Sequence, residues 1–217
     1  MLNNMFFKHT SLNGWYLFAL VTVVVTIAVL LQMLLLDMAD PANVSAMIQF
    51  SVRCSVPLLY LAFVASSLIV LMRNEGSRWL LRNRRFIGLS YAAAMGWQLV
   101  FILWMVFGHP DYYANEVYAF SDIAVQLPGY LLLFAMTITS FQPGRALLSS
   151  KQWKILHRGA IYFLWATVWS TYWYELYYYD DIQPIDYIFY WAGFAAWAIR
   201  ALAWRKQNHL QESLAYG

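Results

Sequence analysis

The run GWYLFALVTVVVTIAVLLQMLLL, Gly14 to Leu36, holds no charged residue. About 20 apolar residues in a row span the hydrocarbon core of a bilayer as a helix. In lipid, a helix is one of only two ways to satisfy every backbone N–H and C=O internally. Five more runs of this kind follow, at roughly Ser45–Met72, Phe86–Gly108, Asp122–Phe141, Gly159–Tyr178 and Pro184–Trp204. The pattern predicts an all-α polytopic membrane protein, a six-transmembrane-helix bundle, with residues 1–217 forming a single membrane domain. The second run is longer than a span requires, which predicts a tilted helix.

Composition agrees. The chain is 62% hydrophobic and 12% charged, where soluble domains hold about 45–50% and about 25%. A net charge of +3 gives no reason to expect a nucleic-acid partner. The single cysteine, Cys54, excludes an internal disulfide and a cysteine-rich zinc or iron–sulfur site. The first run exceeds the 7–15 residues of a signal-peptide core, so it is expected to be retained as a helix. The tripeptide at Asn43–Ser45 is a formal glycosylation acceptor that matters only in a eukaryotic secretory route.

Charge placement predicts the orientation. Lys8, the arginines from Arg73 to Arg85, the cluster Arg145, Lys151, Lys154 and Arg158, and Arg200, Arg205 and Lys206 fall on one side of the six runs. The other side holds Asp37, Asp40, Asp111, Glu116, Asp122, Glu175, Asp180, Asp181 and Asp186. Basic loops stay in the cytoplasm, so both termini are expected there. A bacterial inner membrane is the expected location. The basic segments NEGSRWLLRNRRF and QPGRALLSSKQWKILHR mix cations with tryptophan and leucine. They read as interfacial pieces that fix topology, or as docking surfaces for a partner or anionic lipid. The aromatic cluster YWYELYYYDD, Tyr172 to Asp181, fits a membrane-interface belt; a quinone or porphyrin pocket is its other reading.

One charge is out of place. Arg53 lies about 12 Å into the second run, where a charge costs several kcal/mol unless it is paired or snorkels. Asp122 and Glu175 are its candidate partners, and a cofactor clamp is the functional alternative. The four histidines are sparse: His9 and His209 in the tails, His109 and His157 on opposite sides of the membrane. A transmembrane b haem takes axial nitrogens from facing helices, and no such pair can be built from these four. His157 reads either as half of a ligand pair or as a cationic anchor at the membrane surface.

The segments RRFIGLSYAAAMGWQL (Arg84–Leu99) and TSFQPGRALLSSKQWKILHR (Thr139–Arg158) resemble ferric-reductase-like membrane domains. They are most similar to the haem-binding membrane subunits of periplasmic methionine sulfoxide reductase systems. The resemblance covers about Arg73 to Trp204 and implies a six-helix bundle that carries b haem and passes electrons outward from flavin or quinol. Transferred residue by residue, it places one ligand on His157. The other two ligand positions fall on Gln98 and Ser170, neither an ordinary haem ligand. Such residues can instead hydrogen-bond between helices.

The leading expectation is therefore an accessory or scaffold subunit without catalytic activity or cofactor of its own, attached to other membrane or periplasmic subunits. His157 would be a relic ligand that now anchors the loop-to-helix corner. The alternative is a haem b electron-transfer subunit that uses His157 with an unusual or partner-supplied second ligand. A third possibility is a lipid or quinone binder. No flavin or nicotinamide domain is visible in the sequence, so any reductase activity calls for a partner.

Overall fold

The computed structural model describes residues 9–117, 120–178 and 182–215. Six long helices dominate them: α1 (Gly14–Leu35), α2 (Pro41–Leu71), α3 (Glu75–Gly108), α4 (Phe120–Ile138), α5 (Ser150–Tyr178) and α6 (Pro184–Ala215). Every regular element among the described residues is helical, as expected. Helices α1, α2 and α3 are each long and apolar enough to cross a membrane, and the chain is an integral membrane protein. In α4 the described side chains give an apolar stretch over Gln126–Ile138. Helices α5 and α6 are long, at 29 and 32 residues, but rich in tryptophan and tyrosine, which lower their hydropathy.

Helix α2 occupies the centre. Half of its apolar window is buried, against 11% for α1, and it packs on α1, α3, α5 and α6. Its residues Val56, Leu59, Tyr60 and Phe63 meet Ile87 and Tyr91 of α3, Leu164 and Val168 of α5, and Phe189 of α6 in one core. Helix α1 buries only Leu17 and Val29; Leu31, Leu34 and Leu35 face outward. A continuous exposed apolar face of this kind needs lipid around it. At Gly193 the backbone of α6 lies against side chains of α2 and α5. A Cβ there would lie 2.6 Å from the Tyr60 hydroxyl and 2.7 Å from the Trp169 ring, so any larger residue would force the helices apart.

Two expected boundaries move. NEGSRWLLRNRRF does not lie apart as an interfacial piece; it is the first turns of α3. A capping box of Asn74 and Ser77 starts that helix early. Its polar face then holds the entry to α1. The buried Asn83 amide accepts from the Gly14 N–H at 2.9 Å and donates to the Asn13 side chain at 3.0 Å. Trp79 Nε1 donates to the Leu12 carbonyl at 2.8 Å. QPGRALLSSKQWKILHR divides into a short turn, Gln142–Ala146, and the start of α5 at Ser150. Asp40 and Pro41 likewise start α2 earlier than expected.

That earlier start puts Arg53 twelve residues into α2, about 18 Å along the axis. Among the described side chains its ion-pair partner is Asp186, not the expected Glu175. Arg53 Nη2 lies 3.3 Å from the Asp186 carboxylate, whose side chain is 2% exposed. Asp186 stands in the first turn of α6 and also accepts from the Gln183 N–H at 2.9 Å. The packing of α6 on α2 brings this acid to Arg53. The side chain of Asp122 lies outside the described residues, as do Lys8, Asp180 and Asp181.

Arg53→Leu would leave the Asp186 carboxylate buried with only a backbone donor. The expected loss is about 1–3 kcal/mol, read as a lower melting temperature in detergent. Adding Asp186→Asn to Arg53→Leu should recover most of it, because the stranded charge is gone. An unchanged melting temperature in the single variant would show that the pair is dispensable.

Candidate functional site

Basic residues of α3, α5, α6 and the turn between α4 and α5 gather at one end of the bundle. There, Arg84 Nε of α3 donates to the Ala62 carbonyl of α2 at 3.1 Å, and Arg200 Nη1 of α6 donates to the neighbouring Phe63 carbonyl at 2.9 Å. The Arg200 guanidinium also sits 4.3 Å from the ring centres of Phe63 and Tyr162. Buried cations are tolerable only with such donors and faces. These arginines border a cavity of about 690 Å³.

The cavity wall has the same gradient on four helices. On α3 it runs from Arg84 and Arg85 down to Leu89 and Tyr91; on α5, from His157 and Arg158 down to Ile161 and Leu164. On α4 it runs from Thr139 to Leu133, and on α2 from Ser66 to Leu59. Six cations line the mouth (Arg84, Arg85, Arg145, Lys154, Arg158 and Arg200), and among the described residues no carboxylate lines the cavity. Tyr91 is 2% exposed, and its hydroxyl has no hydrogen-bond partner among the described residues.

His157 stands in the wall and joins α5 to the end of α4. The Thr139 hydroxyl donates its one proton to the Ala135 carbonyl at 2.7 Å. It also pairs with His157 Nε2 at 2.9 Å. Trp153 stacks on the imidazole at 4.2 Å and donates from Nε1 to the Thr139 carbonyl at 3.1 Å. The turn that follows needs a glycine, because a Cβ on Gly144 would collide with the Ile138 carbonyl. Burial, with Arg84 and Arg145 close by, pushes the His157 pKa down to about 4. The residue is neutral at pH 7, so the cationic-anchor reading falls. It ties down the corner as a hydrogen-bonding ring.

The other two expected ligand positions are elsewhere. Gln98 accepts from the Tyr130 hydroxyl of α4 at 2.8 Å, the interhelical bond its polarity allows. Ser170 turns back on its own helix and donates to the Thr167 carbonyl at 2.9 Å. Neither lines the cavity. His9 receives hydrogen bonds from Ser11, His109 ends α3, and His209 faces Glu212 at 3.6 Å in the exposed last turns. No cluster of three or more His, Cys, Asp or Glu capable of holding a metal occurs among the described residues.

These residues give a divided answer for haem. The cationic rim and apolar floor would suit a flat amphiphile with anionic ends. The donor set does not suit a bis-histidine iron: one imidazole faces the cavity, and its Nε2 is engaged by Thr139. Sequence reasoning missed Arg200 and Tyr91 as wall residues. Arg200 carried the signal that singled out Arg53, an arginine inside an apolar run; Tyr91 carried none.

In the outer cluster Trp173 packs on Tyr174, Tyr177 and Tyr178, and Tyr172 on Phe189; Tyr179, Asp180 and Asp181 lie outside the described residues. Trp165, Trp169 and Tyr190 stack in succession at 5.9 and 5.5 Å, starting from Phe63 below Trp165 at 5.4 Å. They fill the seam between α5 and α6.

Over 104 residues the chain is 31% identical to the heme-binding subunit of protein-methionine-sulfoxide reductase, MsrQ, from Azospira oryzae. The match covers 44% of this chain and 45% of that protein. No family model and no solved structure matches the chain.

The depressed His157 pKa predicts acid sensitivity. From about pH 6.5 down to about 4, the unfolded chain takes up a proton that the folded one refuses, so stability falls as pH falls through that window. The melting temperature in detergent should drop more between pH 7 and pH 4.5 for the native protein than for His157→Asn, which keeps a donor for Thr139 but does not titrate. Equal slopes would show that the ring is solvated.

Proposed function

We propose that this chain is a six-span accessory or scaffold subunit of a membrane redox assembly, built on a ferric-reductase-like bundle and lacking a bis-histidine haem of its own. The carrying observation is the fate of the three ligand positions. His157 is committed to Thr139, Gln98 to Tyr130 and Ser170 to its own helix. The partial similarity to a heme-binding subunit supports a place in a redox system. Partners would be other membrane or periplasmic subunits. Support for six spans comes from the alternation of basic and acidic helix ends and from the lengths of α5 and α6, each above the roughly 20 residues a span requires. Both termini then lie in the cytoplasm, in a bacterial inner membrane.

A second reading, a haem b electron-transfer subunit, is favoured by the size and charge of the cavity around His157. It needs a second axial ligand from outside the described residues or from a partner.

A pyridine haemochromogen assay on the purified protein separates the two. The expected result is no low-spin b-haem band. Stoichiometric haem b would establish the electron-transfer reading instead.

Single-cysteine variants in the segment between Asp111 and Glu116, made on a Cys54→Ser background, should react with an impermeant thiol reagent from the periplasmic side only. Labelling solely from the cytoplasm would reverse the topology.

A further inference from the structure

We infer that the cavity at the basic end is a binding site for one anionic phospholipid, with its phosphodiester at the cationic mouth and an acyl chain on the apolar floor. This inference concerns the cavity alone and stands whether or not the chain serves a redox assembly.

Three independent features converge on a phosphate-bearing amphiphile. The first is charge: six cations and no carboxylate line the space, and none of those cations forms an ion pair with a carboxylate among the described residues. Arg145 is turned to the Leu148 carbonyl and Ser150, and Arg85 to the rings of Trp15, Phe86 and Phe141. Among the described residues Lys154 and Arg158 have no hydrogen-bond acceptor, and Arg84 spends only Nε on the protein. A phosphodiester would fill those open donors.

The second feature is the gradient from polar to apolar, repeated on α2, α3, α4 and α5 in the same direction. A free inorganic anion has no use for a floor of Leu59, Leu133, Ile161 and Leu164; an acyl chain does. The volume of about 690 Å³ accommodates a glycerophosphate and the first methylenes of a chain, leaving the rest of the lipid in the surrounding bilayer.

The third is Tyr91. A buried hydroxyl without a partner among the described residues is costly, and Tyr91, which carries this one, lines the cavity two turns of α3 below Arg84. That depth suits an ester carbonyl below a phosphate, which would accept from it.

The test uses the full chain, purified in mild detergent and delipidated, with melting temperature and native mass spectrometry as readouts. Titration with phosphatidylglycerol should raise the melting temperature and give a one-to-one adduct. Phosphatidylcholine and inorganic phosphate should each give a much smaller response. Lys154→Gln with Arg158→Gln should weaken the apparent affinity for phosphatidylglycerol about five-fold for each charge removed. Tyr91→Phe removes an unpartnered hydroxyl, so it should fold normally without lipid and still respond less to it. Arg205→Gln with Lys206→Gln, in the exposed end of α6 and away from the cavity, should bind as the native protein does.

Equal responses to phosphatidylglycerol and phosphatidylcholine would overturn the inference, since the headgroup charge would not be read. So would inorganic phosphate reproducing the whole effect, which would make the site one for a free anion. Retained affinity in both the double-glutamine and Tyr91→Phe variants would place the lipid elsewhere.

Discussion

Two consecutive carbonyls of the central helix, Ala62 and Phe63, each accept from an arginine of a different neighbour, Arg84 and Arg200. Helical carbonyls have a second lone pair, and a guanidinium below the bilayer surface must find such acceptors or aromatic faces to offset lost hydration. These bonds pin α3 and α6 to α2 at one level. They also fix where charge can exist inside the bundle. The cavity opens at that level and inherits its cations. About 15 Å away along α2, Arg53 and Asp186 join the same pair of helices, α2 and α6, so charged contacts hold that interface at two levels. Between them the close approach at Gly193 leaves no room for a larger residue.

The chemistry of the cavity follows from what its wall carries and what it lacks. Among the described residues it has cations, a neutral histidine and an unpartnered tyrosine hydroxyl, but no carboxylate and no second imidazole. Such a wall recognises an anion with an apolar body and has no second imidazole to hold an iron from both faces. His157 shows how a residue type suited to metal ligation serves a structural end. With Trp153 stacked on it and Thr139 bonded to it, the ring fastens the turn between α4 and α5 that carries Arg145. Losing the ring would loosen one wall of the cavity along with the corner.

The all-helical architecture and the gathering of cations at one end were legible in the sequence, because both follow from one-dimensional patterns. Uninterrupted apolar length forces helix in lipid, and alternating charge marks helix ends. Arg53 was legible as an anomaly for the same reason. Its partner was not, since Asp186 lies 133 residues away and only the seam of α2 with α6 joins them. The two basic segments were misplaced because amphipathic composition cannot distinguish a helix lying on a membrane from the first turns of a helix crossing it. The Asn74–Ser77 cap and the bonds of Asn83 to Asn13 and Gly14 decided that for α3.

By itself the sequence determined that the chain is helical and belongs in lipid, that its cations cluster, and that the four histidines, two of them in the tails, offer no facing pair. Those properties depend on which residues occur and in what order. Tertiary structure alone decided that His157 is neutral, that Arg84 and Arg200 share the backbone of α2, and that Tyr91 lines a cavity with no hydroxyl partner among the described residues. Those depend on the distance, burial and orientation of groups brought together from separate helices, which no local pattern encodes.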